Sequence, residues 1–259
     1  MTSKICSTTC LPQSEYDNFC SNQFHIIAGP CAVESEKQIE DIAKMLLNCK
    51  VLYLRGGAFK PRTSPKDFQG LGLEGLKLLN IMGKKYQLKI VTEILDTRDV
   101  ELGVEYADII QIGSRNMFNS ALLKEVGKTR KTIILKRGIM ATLDEFLLAA
   151  DYVIQGGNEN IILCERGIRT FENSVRNTLD ISTMAIIKNS TKFPLIVDLS
   201  HSLGRKDILL PVAKAVLAMG INGIMVETHN DPNIALSDAA QQLSFNEFKD
   251  FLGNLNCKR

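Results

Sequence analysis

The sequence predicts one α/β domain: a closed barrel of eight parallel strands, each followed by a helix, the (β/α)8 or TIM barrel. Three observations point there. From Phe24 onward, eight short apolar runs alternate with segments of helical patterning. Those runs lack the polar alternation of a sheet with one wet face, so both faces are covered. The chain has 259 residues, close to the roughly 250 that eight strand–helix units consume. A doubly wound open sheet is the competing architecture. No GxGxxG or GxxxxGKS/T follows any strand, and Gly56-Gly57 and Gly156-Gly157 are too short for either fingerprint. A classical dinucleotide or nucleoside-triphosphate site is therefore unsupported.

Residues 1–23 are polar and rich in Ser, Thr and Cys, and read as a loose N-terminal arm before a catalytic barrel over 24–259. His25 to Gly29 is the first strand, followed by Pro30, Cys31 and a helix over 36–48 whose Ile39, Ile42, Ala43, Leu46 and Leu47 share one face. The second strand runs from Val51 to Arg55, then a long polar loop over 56–70 and a helix over 73–86. Residues 89–92 form the third strand, before a helix beginning near Thr97. The fourth covers 107–112 and leads through Gly113-Ser-Arg-Asn-Met-Phe-Asn119 into a helix ending near Gly127. The fifth, 132–136, turns at Arg137-Gly138 into a helix capped by Thr142 with Glu145 three residues later. The sixth, 161–164, ends in Glu165-Arg166-Gly167. The seventh, Leu195-Ile-Val197, gives way to Asp198, Ser200, His201, Ser202 and Arg205 just before a helical segment. The eighth, 224–226, ends in Glu227-Thr-His229, with a last helix from about Ile234.

Composition narrows the function. With 31 basic against 29 acidic residues the net charge is +2, which gives no nucleic-acid surface, and no aromatic-interleaved basic patch is present. Seven Cys, without a CxxC pair, indicate thiols in a reducing compartment rather than a disulfide framework. No apolar run of about 18 residues spans a membrane. The opening residues lack the apolar core of a signal peptide, so a cytoplasmic protein is expected.

Polar chemistry at the C-terminal ends of buried strands is where such barrels carry their active sites. Cys31, His201 and Glu227 fall at or just beyond strand ends, and Asp231 and Asp238 follow the eighth strand. A thiolate, an imidazole and carboxylates can together hold a divalent transition ion such as Mn, Fe, Co or Zn. The choice between the two Asp stays open on local evidence. Arg55, Lys60, Arg62, Arg115, Lys136, Arg137, Arg166 and Arg205 also cluster at strand ends, suited to a substrate with more than one anionic group. In the loop Lys60-Pro-Arg-Thr-Ser-Pro65, two Pro stiffen a compact set of phosphate donors. An ion polarising a carbonyl beside an oriented anion fits aldol-type addition or a lyase acting on phosphorylated small molecules. Two rivals are a metal-free Schiff-base lyase using Lys136 and a non-enzymatic sugar-phosphate-binding barrel.

Together these residues closely resemble the metal-dependent 3-deoxy-D-arabino-heptulosonate-7-phosphate (DAHP) synthases, in their short microbial type without a regulatory domain. The resemblance runs through Ala28-Gly-Pro-Cys-Ala-Val-Glu-Ser35, Arg55-Gly-Gly-Ala-Phe-Lys-Pro-Arg-Thr-Ser-Pro65, Phe68-Gln-Gly-Leu71 and Gly113-Ser-Arg-Asn-Met117. It continues in Leu135-Lys-Arg-Gly138, Cys164-Glu-Arg-Gly167, Ser200-His-Ser202, Met225-Val-Glu-Thr-His229 and Ala235-Leu-Ser-Asp238. The related octulosonate-8-phosphate synthases share the barrel but carry Ala-Asn-Arg where this chain has Lys60-Pro-Arg-Thr63. That difference favours erythrose 4-phosphate over arabinose 5-phosphate.

The resemblance implies condensation of phosphoenolpyruvate with erythrose 4-phosphate, at the head of the shikimate pathway and aromatic amino acid biosynthesis. It implies Cys31, His201, Glu227 and Asp238 as metal ligands, so Asp238 displaces Asp231. Lys60, Arg115, Lys136 and Arg166, with Arg55 nearby, resemble the phosphoenolpyruvate contacts, and Arg62, Thr63 and Ser202 those of the sugar phosphate. Lys60 and His201 are the candidates for proton handling, and His229 is expected to support Glu227 or a phosphate from close range. Homologues form dimers or tetramers, so self-association is expected.

Overall fold

Strand pairing closes on itself. β1 (His25–Gly29) pairs in parallel with both β2 (Tyr53–Arg55) and β8 (Gly223–Glu227). Between them β3 (Lys89–Glu93), β4 (Ile109–Ile112), β5 (Thr132–Lys136), β6 (Ile161–Glu165) and β7 (Leu195–Asp198) complete a barrel in sequence order. The predicted closed barrel is thus the observed one, not the open sheet. The computed structural model describes residues 14–21, 23–62 and 64–255.

The strands lack polar alternation because alternate residues serve two apolar layers. On β5, Ile133 and Leu135 pack outward among the helices, while Ile134 points into the lumen. The lumen core gathers Ile27, Tyr53, Val91, Ile109, Ile134, Ile162, Ile196 and Met225, one from each strand. A strand's side chains repeat every two residues. The position two beyond each therefore faces the lumen at its upper end: Gly29, Arg55, Glu93, Gln111, Lys136, Cys164, Asp198 and Glu227. Five of those eight carry charge, so the barrel's periodicity turns an apolar floor into a reactive ceiling.

Below that floor lies α1 (Glu15–Cys20), opened by a reciprocal cap between Ser14 and Asp17. Its Phe19 is fully buried against the lumen residues, 4.4 Å from the His25 ring and 5.1 Å from that of Tyr53. Glu15 accepts from Tyr53 Oη at 3.0 Å and pairs with Lys89 at 2.8 Å, and Asn222 Nδ2 donates to the Phe19 carbonyl at 2.8 Å. Over these residues the arm is helical rather than loose: burial of Phe19, worth roughly 1.5–3 kcal/mol, adds to the Ser14 cap and the bonds of Glu15 and Asn222 in seating it against the barrel. Residues 1–13 and 22 lie outside the described residues.

The outer helices are α2 (Glu36–Asn48), α3 (Leu73–Tyr86), α4 (Val100–Tyr106), α5 (Ser120–Gly127), α6 (Leu143–Gln155) and α7 (Ile181–Ser190), then α8 (Leu199–Leu203), α9 (Leu209–Ala218) and α10 (Phe245–Leu255). α2 buries Ile39, Ile42, Ala43 and Leu46 as its spacing requires, and α6 has the Thr142–Glu145 capping box. Several boundaries depart from expectation, among them the following three. β2 begins at Tyr53 rather than Val51, because the chain is still leaving α2: Lys50 has φ +57° and Val51 N–H donates to Leu46 O. His201 lies inside a helical turn, α8, rather than in a loop before one. The last helix starts at Phe245 rather than near Ile234. The intervening segment forms two 3-10 turns, at Pro232–Ile234 and Ala239–Gln241, separated by Asp238 in left-handed backbone at φ +47°.

Candidate active site

Barrel closure delivers four ligand-type side chains to one point. Cys31 follows β1, and Glu227 ends β8, the strand paired with β1 through Gly29 and Glu227. His201 enters on α8, directly above β7, and Asp238 returns on the loop after β8. One donor atom from each of these four residues lies within 4.8 Å of all the others. Cys31 Sγ is 3.3 Å from Asp238 Oδ2, and His201 Nε2 is 3.5 Å from Asp238 Oδ2 and 3.6 Å from Glu227 Oε1. Metal–ligand bonds of about 2.0–2.3 Å place two donors no more than about 4.6 Å apart, so the cluster nearly has the span of a bound ion. Asp231, the alternative ligand, instead caps the 3-10 turn at Pro232–Ile234.

The orientation of His201 is fixed by Asp198. Asp198 Oδ1 accepts the His201 backbone N–H at 3.0 Å, capping α8, and Oδ2 accepts from His201 Nδ1 at 2.8 Å and from Lys136 Nζ. With Nδ1 donating, Nε2 is left to face the cluster. Gly204 ends the turn at φ +67°, where a Cβ would come within 2.5 Å of the Arg176 side chain.

Burial alone would lower the His201 pKa, but the carboxylates of Asp198 and Glu227 outweigh it and raise it to about 10. Burial would raise the carboxyl pKa of Asp198, Glu227 and Asp238; for each, neighbouring cationic groups prevail and hold it below the usual range. The site thus concentrates negative charge that retains a proton on the imidazole, and a divalent cation can take that proton's place. A thiol, an imidazole and two carboxylates fit a divalent transition ion better than the all-oxygen shells of Mg or Ca.

Above the cluster opens a cavity of about 260 Å³, near the low end for small-ligand pockets. Arg55, Lys60, Arg62, Arg115, Lys136 and Arg166 all line it, as does His201. Lys60 Nζ donates to the Cys31 carbonyl at 3.0 Å and sits 3.1 Å from Cys31 Sγ. Arg55 Nη1 pairs with Glu227 Oε1 at 2.5 Å, while its Nε is buried without a partner among the described residues. A donor left unmatched at an anion-shaped wall is what a bound carboxylate or phosphate would satisfy. Arg62 stands beside Asp67 at 3.3 Å, both lining the cavity.

Other expected residues lie elsewhere. Ser202 is fully buried and donates to Leu199 O at 3.1 Å, away from the cavity wall. The His229 ring is buried between Glu34, at 3.3 Å from Nε2, and the Asp231 backbone N–H, which donates to Nδ1. It therefore supports the loop after β8 rather than the pocket. Thr63 lies outside the described residues. Arg137 is buried against Glu165 and Asp180, and Arg205 pairs with Asp207.

Sequence reasoning missed several residues at this site. Glu93, Gln111, Arg169, Arg176 and Asn177 line the cavity, and Gln241 and Gln242 stand behind the ligands. Glu93 and Gln111 were recoverable, each lying two positions beyond a lumen residue. The loop residues carry no periodic signal.

Comparison with known proteins agrees with this geometry. Over 229 residues the chain is 51% identical to a phospho-2-dehydro-3-deoxyheptonate aldolase of Thermotoga maritima, covering 88% of this chain and 68% of the relative. A 2-dehydro-3-deoxyphosphooctonate aldolase of Syntrophotalea carbinolica is 30% identical over 245 residues, covering 88% and 87%. The crystal structure of a Thermotoga maritima heptonate aldolase (DAHP synthase) superimposes with a TM-score of 0.88 at 50% identity, over 91% of this chain and 69% of that one. A truncated form of the heptulosonate synthase from Thermotoga maritima gives 0.84 at 46% identity, over 91% and 86%. The DAHP synthetase I family matches residues 19–257, and with the barrel, the four-donor cluster and these relatives in agreement, the chain belongs to that family.

Proposed function

We propose that this protein condenses phosphoenolpyruvate with D-erythrose 4-phosphate, by metal-dependent aldol-type addition, to give DAHP and inorganic phosphate. The observation that carries the reading is a four-donor cluster directly beneath a wall of Arg and Lys at one barrel mouth. Carbonyl activation and anion binding are then available to one pair of small substrates. Identity of 51% to a heptonate aldolase, against 30% to an octonate aldolase, supports the four-carbon aldose phosphate, as does the sequence Lys60-Pro-Arg-Thr63.

Cys31, His201, Glu227 and Asp238 would hold one Mn, Fe, Co or Zn ion. When bound, such an ion supplies Lewis-acid polarisation of an aldehyde oxygen. Lys60, Arg115, Lys136 and Arg166, with Arg55 at the pocket wall, orient phosphoenolpyruvate through its carboxylate and phosphate, so that C3 faces the aldehyde carbon. Arg62, with Thr63 beside it in sequence, receives the sugar phosphate at the mouth. The double-bond electrons form the new C3–carbon bond, water adds at C2, and phosphate leaves with its bridging oxygen to give the keto acid. The surrounding cations offset charge that develops on the departing phosphate. Lys60 is the side chain we assign to deliver the proton that the aldehyde oxygen takes up, since His201, with Nδ1 on Asp198 and Nε2 turned to the ion, has none to give. Ser202 and His229 are left out of this assignment because their side chains bond elsewhere.

No helix among the described residues is long and apolar enough to cross a membrane. Our reading includes a cytoplasmic protein assembled as a dimer or tetramer, with exposed Phe118 and Met140 offering apolar surface for contact between copies.

The test is phosphate release from phosphoenolpyruvate with erythrose 4-phosphate or arabinose 5-phosphate, before and after chelation and metal return. Release is expected only with the four-carbon aldose and only with metal present, and Cys31→Ser should nearly abolish it. Activity surviving excess chelator, with borohydride trapping at Lys136, would replace this reading with a Schiff-base lyase. Ligand binding without phosphate release would replace it with a sugar-phosphate sensor.

A further inference from the structure

Two adjacent glutamines on the loop after β8, Gln241 and Gln242, are both buried; between them they bond to two of the four ligand residues and reach a third through its neighbours. Gln241 Nε2 donates to Glu227 Oε2 at 2.6 Å, and its Oε1 accepts from Arg176 Nη1 at 2.7 Å. The same Arg176 Nη1 lies 3.2 Å from Asp238 Oδ1. Gln242 Oε1 accepts the Cys31 backbone N–H at 3.0 Å, and its Nε2 donates to the Ser237 carbonyl at 2.8 Å, one residue before Asp238.

Each amide has only one orientation that satisfies both neighbours. A carboxylate needs a donor and a guanidinium an acceptor, so reversing Gln241 would break both bonds. Reversing Gln242 would set a donor against an N–H and an acceptor against a carbonyl. The consequences reach the ligands directly. With Oε2 of Glu227 held by Gln241, Oε1 is the oxygen turned toward His201 Nε2, 3.6 Å away. Asp238 occupies left-handed backbone at φ +47°, a conformation unfavourable for a residue with a side chain, and Gln242 anchors the residue preceding it.

We propose that Gln241 and Gln242 are positioning residues that preorganise the metal centre, Gln241 through Glu227 and the Arg176–Asp238 pair, and Gln242 through Cys31 and the backbone entering Asp238. The inference rests on the four-ligand reading above. Polar groups behind metal ligands fix ligand orientation, and losing one costs about tenfold to a hundredfold in metal affinity.

The test is direct titration of the metal-free protein with Co²⁺ or Cd²⁺, followed by thiolate-to-metal charge-transfer absorption, in the unmodified chain, Cys31→Ser, Gln241→Leu and Gln242→Leu. The unmodified chain is expected to show the band, and Cys31→Ser to lose it. Each Leu variant should keep the band but bind about tenfold to a hundredfold more weakly. Arg176→Met, at a partly exposed side chain, provides the same readout should either Leu variant fail to fold, and is expected to weaken binding in the same direction. Unchanged affinity in the folded variants, with a normal band in the unmodified chain, would overturn the positioning role alone. Absence of the band from the unmodified chain would overturn both this role and the four-ligand reading.

Discussion

Asp198 joins two groups to which the proposed reaction gives separate tasks. Its Oδ2 receives both Lys136 Nζ, on the pocket wall, and His201 Nδ1, on the ligand cluster, and the carboxylate is fully buried. Replacing Asp198 by Asn keeps an oxygen to cap α8 but removes the charge, leaving the buried Lys136 ammonium without its counter-ion and the His201 tautomer unfixed. The expected result is a fall in kcat/KM for phosphoenolpyruvate of at least about tenfold to a hundredfold, with weaker metal binding, measured by steady-state kinetics and metal titration of the same preparation. Residues of this kind were partly legible in the sequence. Arg55, Lys136 and Glu227 each follow an apolar run, and a strand's two-residue repeat aims them into the lumen. Gln241, Gln242 and Arg176 were not legible, because loop residues have no period and an amide pair has no chemical signature until its partners are known. Ser202, expected from the resemblance at the sugar phosphate, and His229, expected beside Glu227 or a phosphate, bond instead to Leu199 O and to Glu34 and the Asp231 N–H. A motif does not say which way a side chain turns once the backbone leaves the strand.

At the scale of elements, the regular pieces were read correctly wherever one pattern ruled alone. α2 and α6 have clean faces and capping residues, and the eight strands are short apolar runs between polar turns. α1 was missed because six residues carry too little periodicity, and because its stability comes from what it covers rather than from its own propensity. Its contact with β1 also makes the barrel floor sensitive to pH. His25 Nε2 donates to the Asn18 carbonyl at 2.9 Å, against the Phe19 ring and beside Tyr53 and Glu15. Burial pushes its pKa below the ordinary value of about 6.5, against the opposing pull of the Asn18 carbonyl and the Glu15 carboxylate. Below about pH 6.5 the unfolded chain takes up a proton that the folded chain still refuses, so stability is complete above that pH and declines as pH falls toward the folded value. His25→Gln retains an amide donor for Asn18 and has no proton to gain. Urea midpoints at about pH 7.5 and about pH 5.5 should therefore differ less for the variant than for the unmodified chain. An equal loss in both would show that the floor does not sense this histidine.

For the whole molecule, the closed barrel brings residues 31, 201, 227 and 238 to one point although up to 207 positions separate them in sequence. No helix or hairpin could do so, and this is why the ligand set could be named only by resemblance and not by spacing. An ion held by these four residues would cross-link the first and last strands, α8 and the loop after β8. A ligand that binds only the folded state stabilises it by about 2.7 kcal/mol when present at a hundredfold excess over its Kd. For a chain of this size each kcal/mol moves Tm by about 2–4 °C, so metal should raise Tm by about 5–10 °C. Scanning calorimetry with chelator, and again after adding back Mn²⁺ or Co²⁺, measures the difference directly. In Cys31→Ser the increment should shrink strongly, since the three remaining ligands keep some affinity but lose the thiolate that closes the site across β1. An increment that survives intact in that variant would mean the ion binds elsewhere on the barrel. A loss confined to the variant would tie the stability of the whole fold to the four side chains proposed to hold the ion.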